Sequence, residues 1–379
     1  MINCPATVVI RVDSGDEIGA GHVRRCLSIA DFLSKNDFRP VFICRQIAGD
    51  ISYLIEQAGF EIVLLPPSQN LKFSVFGERF SSADFKRMAI DARESASRFV
   101  QQYPATKSVA WAITDHMLIR KPWQALFANK LDCMILAIDG IADYPHDANI
   151  LIDPQISENP SEKWSGLVPD NCAVLSGPSC LPLSLAFESA RKSAGVRNGP
   201  ISRVLICFGG TDPHQIVHRS VSALLAWIEG SGVRQIAVDV VIPSNFSAIE
   251  KVKILLEKHQ RCHLHVGLSD LSVLMLGANI AIGGGGIMLW ERCLMGLPAI
   301  VVPLAENQEK PINRLKRQGA VLALSSVGEG YESELTKALD QLLKSPALLM
   351  EMSETSLKVM ADWPATEGWL KLMKSSCNE

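Results

Sequence analysis

Ile18-Gly19-Ala20-Gly21-His22-Val23-Arg24-Arg25-Cys26-Leu27 is the stretch on which the fold class turns. Ahead of it Val8, Val9, Ile10 and Val12 form a short apolar run, and behind it Val23, Cys26, Leu27, Ala30 and Leu33 recur at helical spacing. The pattern predicts a strand, a glycine-rich turn and a helix that opens beside His22. A helix N-terminus presents unsatisfied N–H groups and partial positive charge, which suit an anionic ligand. The same field disfavours imidazolium, so a histidine there stays neutral, as a general base must be. From spacing alone a second reading is open, in which the glycines simply close a tight turn and His22 is a solvated cap. Arg24 stands at the third glycine position of G-x-G-x-x-G, so the dinucleotide fingerprint is incomplete.

Outward from this stretch, β-like runs alternate with helical ones at Thr7–Val12, Pro40–Cys44, Glu61–Leu65, Ala110–Thr114, Met134–Ile138 and Asn149–Ile152. Such alternation predicts a mostly parallel sheet covered by helices. Ser189–Ser202 collects Arg, Lys, Gly, Asn and Pro and reads as a linker. A fresh series follows at Arg203–Phe208, Ala237–Ile242, His263–Val266, Asn279–Ile282 and Ala299–Val302. Two glycine turns sit at strand ends of this second half, where open parallel sheets bind ligands. One is Phe208-Gly209-Gly210-Thr211-Asp212-Pro213, with Asp212 suited to cap a helix; the other is Gly283 to Gly286, ahead of Ile287–Met295. Glycines there let backbone approach a ligand, and Glu291 lies one turn into the following helix, placed to accept hydrogen bonds from sugar hydroxyls.

Composition narrows the function classes. The chain has 379 residues, 47% hydrophobic and 20% charged, enough for two globular domains. A formal net charge of −3 argues against nucleic acid as the main partner. Ten cysteines lack C-x-x-C spacing, and Arg11, Asp13 and Asp16 interrupt any signal-like apolar start, as expected of a reduced cytoplasmic protein. No apolar run approaches the roughly 18 residues needed to span a bilayer. His214 and His218, and His263 and His265, have pairwise spacing but no acidic or cysteine partner in register, so surface histidines are expected and no metal site.

Eight short motifs occur in order. They are Arg11-x-Asp13, Ile18-Gly-x-Gly-His22-x-x-Arg25-Cys26-Leu27, Thr114-Asp115-His116 and Ile138-Asp139-x-x-Ala142-Asp143-x-x-His146, then Leu175-x-Gly177-Pro178, Phe208-Gly-Gly-x-Asp212-Pro213, Gly285-Gly286-x-x-x-Trp290-Glu291-Arg292 and Ala305-Glu306-Asn307-Gln308. In that order they resemble the pseudaminic-acid pathway UDP-sugar hydrolases, relatives of the MurG-type glycosyltransferases. The resemblance implies an α/β chain of GT-B type, two Rossmann-like domains facing each other across a cleft. Its parts are expected over 1–188 (catalytic histidine and sugar), 203–345 (nucleotide) and 346–379 (a helical segment packing back on the first domain). It further implies hydrolysis of UDP-2,4-diacetamido-2,4,6-trideoxy-β-L-altropyranose to UDP and free sugar, without metal or other cofactor, and His22 matches the family's proposed base. On the substrate and nucleotide side, Asp13, Gly19, Gly21, Asp115 and His116 are expected in the first half. Gly209, Gly210, Asp212, Gly285, Gly286, Glu291, Asn307 and Gln308 are expected in the second.

Several positions depart from the family pattern. Gly140 replaces an acidic residue, Tyr144 stands where an arginine falls, and Cys180, Ser184 and Ala186 replace tyrosine, arginine and glutamate. Ile287 and its neighbours replace hydroxyl residues after the glycine turn. Buried hydrogen bonds to substrate discriminate strongly, so a different sugar is consistent with the chain. A GT-B glycosyltransferase and a non-catalytic nucleotide-sugar binder are the competing functions.

Overall fold

The structure, a computed structural model, describes residues 5–376 apart from 16–17, 69–79, 107, 210–211, 234, 245 and 269. Gly210 therefore lies outside the described residues. The chain forms two units, Met1–Pro182 with Trp363–Glu379, and Leu183–Asp362.

The first unit is built on seven strands, β1 (Ala6–Val12), β2 (Phe38–Arg45), β3 (Glu61–Leu65), β4 (Val109–Asp115), β5 (Met134–Ile138), β6 (Ile150–Asp153) and β7 (Ala173–Ser176). They run parallel in the order β3-β2-β1-β4-β5-β6-β7. The second has six, β8 (Arg203–Cys207), β9 (Ala237–Ile242), β10 (Cys262–Val266), β11 (Ile280–Gly284), β12 (Ala299–Val302) and β13 (Val321–Ala323), in the order β10-β9-β8-β11-β12-β13. Each sheet thus reverses its winding once, between β1 and β4 and between β8 and β11. Those reversal points open a crevice at the carboxyl ends of the strands.

Strand β1 shows why the sheet forms and what it carries. Both faces are covered, so it reads as a nearly continuous apolar run. Its two-residue period sends Val8, Ile10 and Val12 toward the helix Gly21–Ser34, which buries Val23, Cys26, Ile29, Ala30 and Leu33. Val9 goes the other way, into a core with Met88, Phe99 and Trp123. Arg11 and Asp13 share the parity of Val9, so two charged groups enter that face.

Strands β7 and β13 escape a reading by apolar runs because they are short sheet edges with mostly half-buried residues. The stretch expected as a linker is fastened to the second unit. A helix covers Leu185–Arg191, Arg191 donates to the Leu294 carbonyl at 2.5 Å, and Arg197 donates to the carbonyls of Ala278 and Met275 at 3.0 and 3.1 Å. The C-terminal helices divide. Pro346–Val359 belongs to the second unit, where Ser353 Oγ donates to the Gly296 carbonyl at 2.6 Å and Leu349 and Met352 join the core. Glu367–Ser375 lies on the first unit. There Trp369 Nε1 donates to the Cys180 carbonyl at 2.9 Å and its ring sits 5.2 Å from that of Phe32.

The helix Ser82–Gln102 supplies the counter-charge for the buried face of β1. Asp91 accepts from Arg11 Nε at 3.2 Å, Arg45 Nη2 at 2.7 Å and Trp123 Nε1 at 2.7 Å. Burial alone would raise the Asp91 carboxyl, but Arg11 and Arg45 hold it down at about 2. A buried pair broken from one side leaves an uncompensated charge, at a cost of about 3–5 kcal/mol. Asp91→Asn is therefore expected to destabilise the protein by that order at pH 7. Because Asp91 is more acidic folded than unfolded, its contribution is complete above about pH 4 and is lost as pH falls toward 2. Thermal denaturation across pH 7 to 2 should show that acid loss in the wild type and a flatter profile in Asp91→Asn. An Asp91→Asn protein as stable as wild type at pH 7 would contradict the assignment.

Candidate functional site

The reversal point of the first sheet gathers the histidines. Asp115 ends β4, and Gly21 starts the helix that carries His22 and Arg25 on successive turns of one face. Asp115 is fully buried. Its oxygens meet His22 Nδ1 at 2.6 Å, Arg25 Nε and Nη2 at 2.6 Å each, and Cys26 Sγ at 3.6 Å. Burial would raise the carboxyl, but the Arg25 charge and the His22 contact hold it well below the usual carboxylate range. An ionised carboxylate only accepts, so His22 donates from Nδ1, and the neutral form of the ring has its lone pair on Nε2. Nε2 has no hydrogen-bond partner among the described residues, and the side chain is 23% exposed. A buried carboxylate that orients the imidazole is thus in place.

His116 is arranged in the opposite sense. Its Nε2 donates to Asp13 Oδ2 at 2.8 Å, and its Nδ1 accepts from the Leu118 N–H at 3.0 Å. Burial draws it below the ordinary imidazole range despite Asp13, so it is neutral. Asp13 is itself buried; it also accepts from Arg11 and from the Arg45 N–H, the latter at 2.7 Å. His116 and Asp13 line a small cavity together with Arg11, Arg45, Asp91 and Trp123. Behind them Gln124 Nε2 donates to Thr114 Oγ1 at 3.1 Å and to His146 Nδ1 at 2.9 Å, and His146 Nε2 donates to Asp139 at 3.0 Å. Gly19, at φ +79°, and Gly21 leave open space above the helix start.

The departures from the family pattern have local causes. A Cβ on Gly140 would lie 2.8 Å from Gln155 Cγ and 3.2 Å from Asp153 Oδ1, so no acidic side chain fits without movement. Tyr144 accepts from the Phe80 N–H at 2.6 Å and stacks on that ring at 4.5 Å. Cys180 is buried and donates to the Ser176 carbonyl at 3.5 Å.

In the second unit the reversal point brings the two glycine turns together. A Cβ on Gly209 would lie 3.4 Å from Met288 Cε, and Cys207 Sγ is 3.4 Å from Met288 Sδ. Most of the glycine run answers to packing. Added Cβ atoms would meet Cys207 O at 2.3 Å from Gly283, Leu304 at 2.9 Å from Gly284 and Ile312 at 2.5 Å from Gly285. Gly286 alone of the run faces open space, and it is exposed. Gln308 Oε1 accepts from the Gly285 N–H at 2.9 Å, so both residues shape the turn from within. Asp212 accepts from the Val217 N–H at 2.9 Å in the first turn of the helix Ile216–Ser231, which follows a kink where His214 and Gln215 are both left-handed. Glu291 is half-buried in the first turn of the helix Met288–Leu294, and Asn307 is exposed.

Arg25, Arg11, Arg45 and Asp91 were not singled out as site residues. Arg25 had a signal, its three-residue spacing from His22. Asp91 had none, lying in a stretch of mixed charge without a clean period. Among the described residues no group of three or more His, Cys, Asp or Glu is arranged to hold a metal ion. No described helix is long and apolar enough to cross a membrane.

No protein-family model matches the chain. It is similar to the spore coat polysaccharide biosynthesis protein SpsG of Bacillus subtilis, 26% identical over 197 residues, which make up 52% of each chain. The chain thus spans about half the length of that curated relative. Among solved structures, Acinetobacter baumannii MurG matches with a TM-score of 0.60 at 16% identity, over 98% of this chain and 100% of that one. The S. aureus MnaA–UDP co-structure matches at 0.62 and 10% identity, over 98% and 97%. The fold is therefore of GT-B type, with two parallel-sheet α/β domains.

The hydrogen bonding fixes different tautomers on three histidines. Long-range proton–nitrogen correlation spectra are expected to show His22 protonated on Nδ1, and His116 and His146 on Nε2. Asp115→Asn should disturb the His22 pattern and leave His146 unchanged. His22 protonated on Nε2 in the wild type would contradict its orientation by Asp115.

Proposed function

We propose that the chain hydrolyses a UDP-activated deoxy diacetamido sugar at its anomeric carbon. The products are UDP and the free sugar, in biosynthesis of pseudaminic acid or a related surface glycan. The observation that carries this reading is the His22–Asp115–Arg25 arrangement: an imidazole with a bound Nδ1, an Nε2 without a hydrogen-bond partner among the described residues, and a buried ionised carboxylate behind it. Asp115 keeps the proton on Nδ1 and stabilises the imidazolium that forms as Nε2 takes a proton from water. Arg25 keeps Asp115 ionised and holds it in place through two hydrogen bonds. A nucleoside diphosphate is already a good leaving group, so the remaining demand is on positioning the water and holding phosphate charge.

The nucleotide is assigned to the reversal point of the second sheet. Gly286 and Gly209 offer backbone to phosphate there, and Glu291 offers a carboxylate to ribose hydroxyls. The SpsG likeness supports a polysaccharide pathway, and the MnaA co-structure supports UDP as a ligand of this fold. The fold shared with MurG equally favours a second reading, a glycosyltransferase, which differs in requiring an acceptor.

UDP release without any acceptor separates the two. In that assay His22→Asn is expected to lower turnover by about 10²–10⁴-fold with UDP affinity retained. Turnover near wild type in His22→Asn would remove His22 from the chemistry.

A further inference from the structure

Four arginines among the described residues are buried: Arg11, Arg45, Arg120 and Arg292. Three of them face carboxylates. Arg11 and Arg45 share Asp91, and Arg120 meets Asp143 and Asp139 at 3.0 and 3.5 Å. Arg292 has no carboxylate within ion-pair distance among the described residues. Its Nη2 donates to the Gly284 carbonyl, and its Nε is buried without a hydrogen-bond partner. A charged group left this way is costly, and proteins rarely retain one without a use.

Its place in the fold suggests the use. An added Cβ on Gly283 would lie 2.5 Å from Arg292 Nη1 and 2.3 Å from the Cys207 carbonyl oxygen. The guanidinium is therefore wedged between the carboxyl ends of β8 and β11, at the reversal point and directly beneath the two glycine turns. Met288, one turn earlier on the same helix, closes the gap between those turns. The contrast with the first unit is electrostatic as well as geometric. Asp13 and Asp91 outweigh burial and raise Arg11 above the ordinary arginine range, whereas burial draws Arg292 below it.

We propose that Arg292 is a positioning residue that supplies the buried counter-charge for a diphosphate bound at the carboxyl edge of the second sheet. This rests on the assignment of the nucleotide to that edge. The residue need not touch the ligand. Through protein of low effective dielectric its charge acts over several ångströms, and Coulomb attraction there is stronger than in water. The hydroxyl side chains expected after the glycine turn are replaced here by Ile287, Met288 and Leu289. A buried cation therefore compensates for surface donors that this chain lacks. A purely structural clamp on the Gly284 carbonyl is the competing explanation, and it makes no distinction between charged and neutral ligands.

The test is calorimetric titration of the full chain with UDP, uridine and inorganic pyrophosphate, for wild type, Arg292→Gln and Arg292→Lys. Gln keeps a donor for the Gly284 carbonyl and removes the charge. Arg292→Gln is expected to bind UDP at least tenfold more weakly and uridine within about twofold of wild type, and Arg292→Lys to keep UDP within about threefold. UDP binding unchanged in Arg292→Gln, or UDP and uridine weakened in parallel, overturns the proposal while leaving the nucleotide assignment standing. If Arg292→Gln does not fold, Arg292→Lys decides: a tenfold loss of UDP with uridine unaffected overturns a role for charge. A wild type that binds pyrophosphate but not UDP removes the nucleotide assignment, and the same variants then test Arg292 with pyrophosphate. A wild type that binds neither overturns both.

Discussion

Asp115 is the group on which the arrangement of the first unit depends. It is a carboxylate taken wholly out of water at the end of a central parallel strand, an environment that would by itself protonate it. Two hydrogen bonds from Arg25 and one from His22 reverse that tendency. The orientation of His22 follows: Nδ1 donates to the carboxylate, and Nε2 has no hydrogen-bond partner among the described residues. The adjacent residue, His116, is locked by Asp13 in the other tautomer with both nitrogens occupied. Consecutive residues at one strand end thus serve two separate hydrogen-bond networks, Asp115 that of His22 and Arg25, His116 that of Asp13 and Arg11.

The two reversal points solve different problems. The first is saturated with ion pairs. Arg11, Asp13, Arg45, Asp91 and His116 are joined in one buried network of hydrogen bonds. The second is held by packing and carbonyl contacts, with Gln308 and Ile312 shaping the glycine turn and Arg292 without a carboxylate at ion-pair distance among the described residues.

Much of the fold was legible because parallel strands covered on both faces read as apolar runs. Glu61–Leu65, Met134–Ile138, Ala237–Ile242 and Ala299–Val302 need nothing else. Strands β7 and β13 were not legible, since edge strands with half-buried residues leave no such run. His22 and Asp115 were readable from a turn and a strand end, but their contact across 93 positions belongs to tertiary structure alone. The glycine run misled in part. Gly283, Gly284 and Gly285 are demanded by Cys207, Leu304 and Ile312, none of which a sequence window places beside them. Asp91 was invisible for the same reason: its partners come from β1, β2 and Trp123.

In the proposed reaction His22, oriented by Asp115, delivers water to the anomeric carbon of a UDP-sugar with no acceptor present. Its most direct test is turnover of a UDP-linked diacetamido 6-deoxy sugar in oxygen-18 water, followed by mass spectrometry of both products. The expected products are UDP without label and free sugar carrying one labelled oxygen at its anomeric carbon, both formed about 10²–10⁴-fold more slowly by His22→Asn. Label in the UDP phosphate, or no UDP release until an acceptor is added, would contradict it.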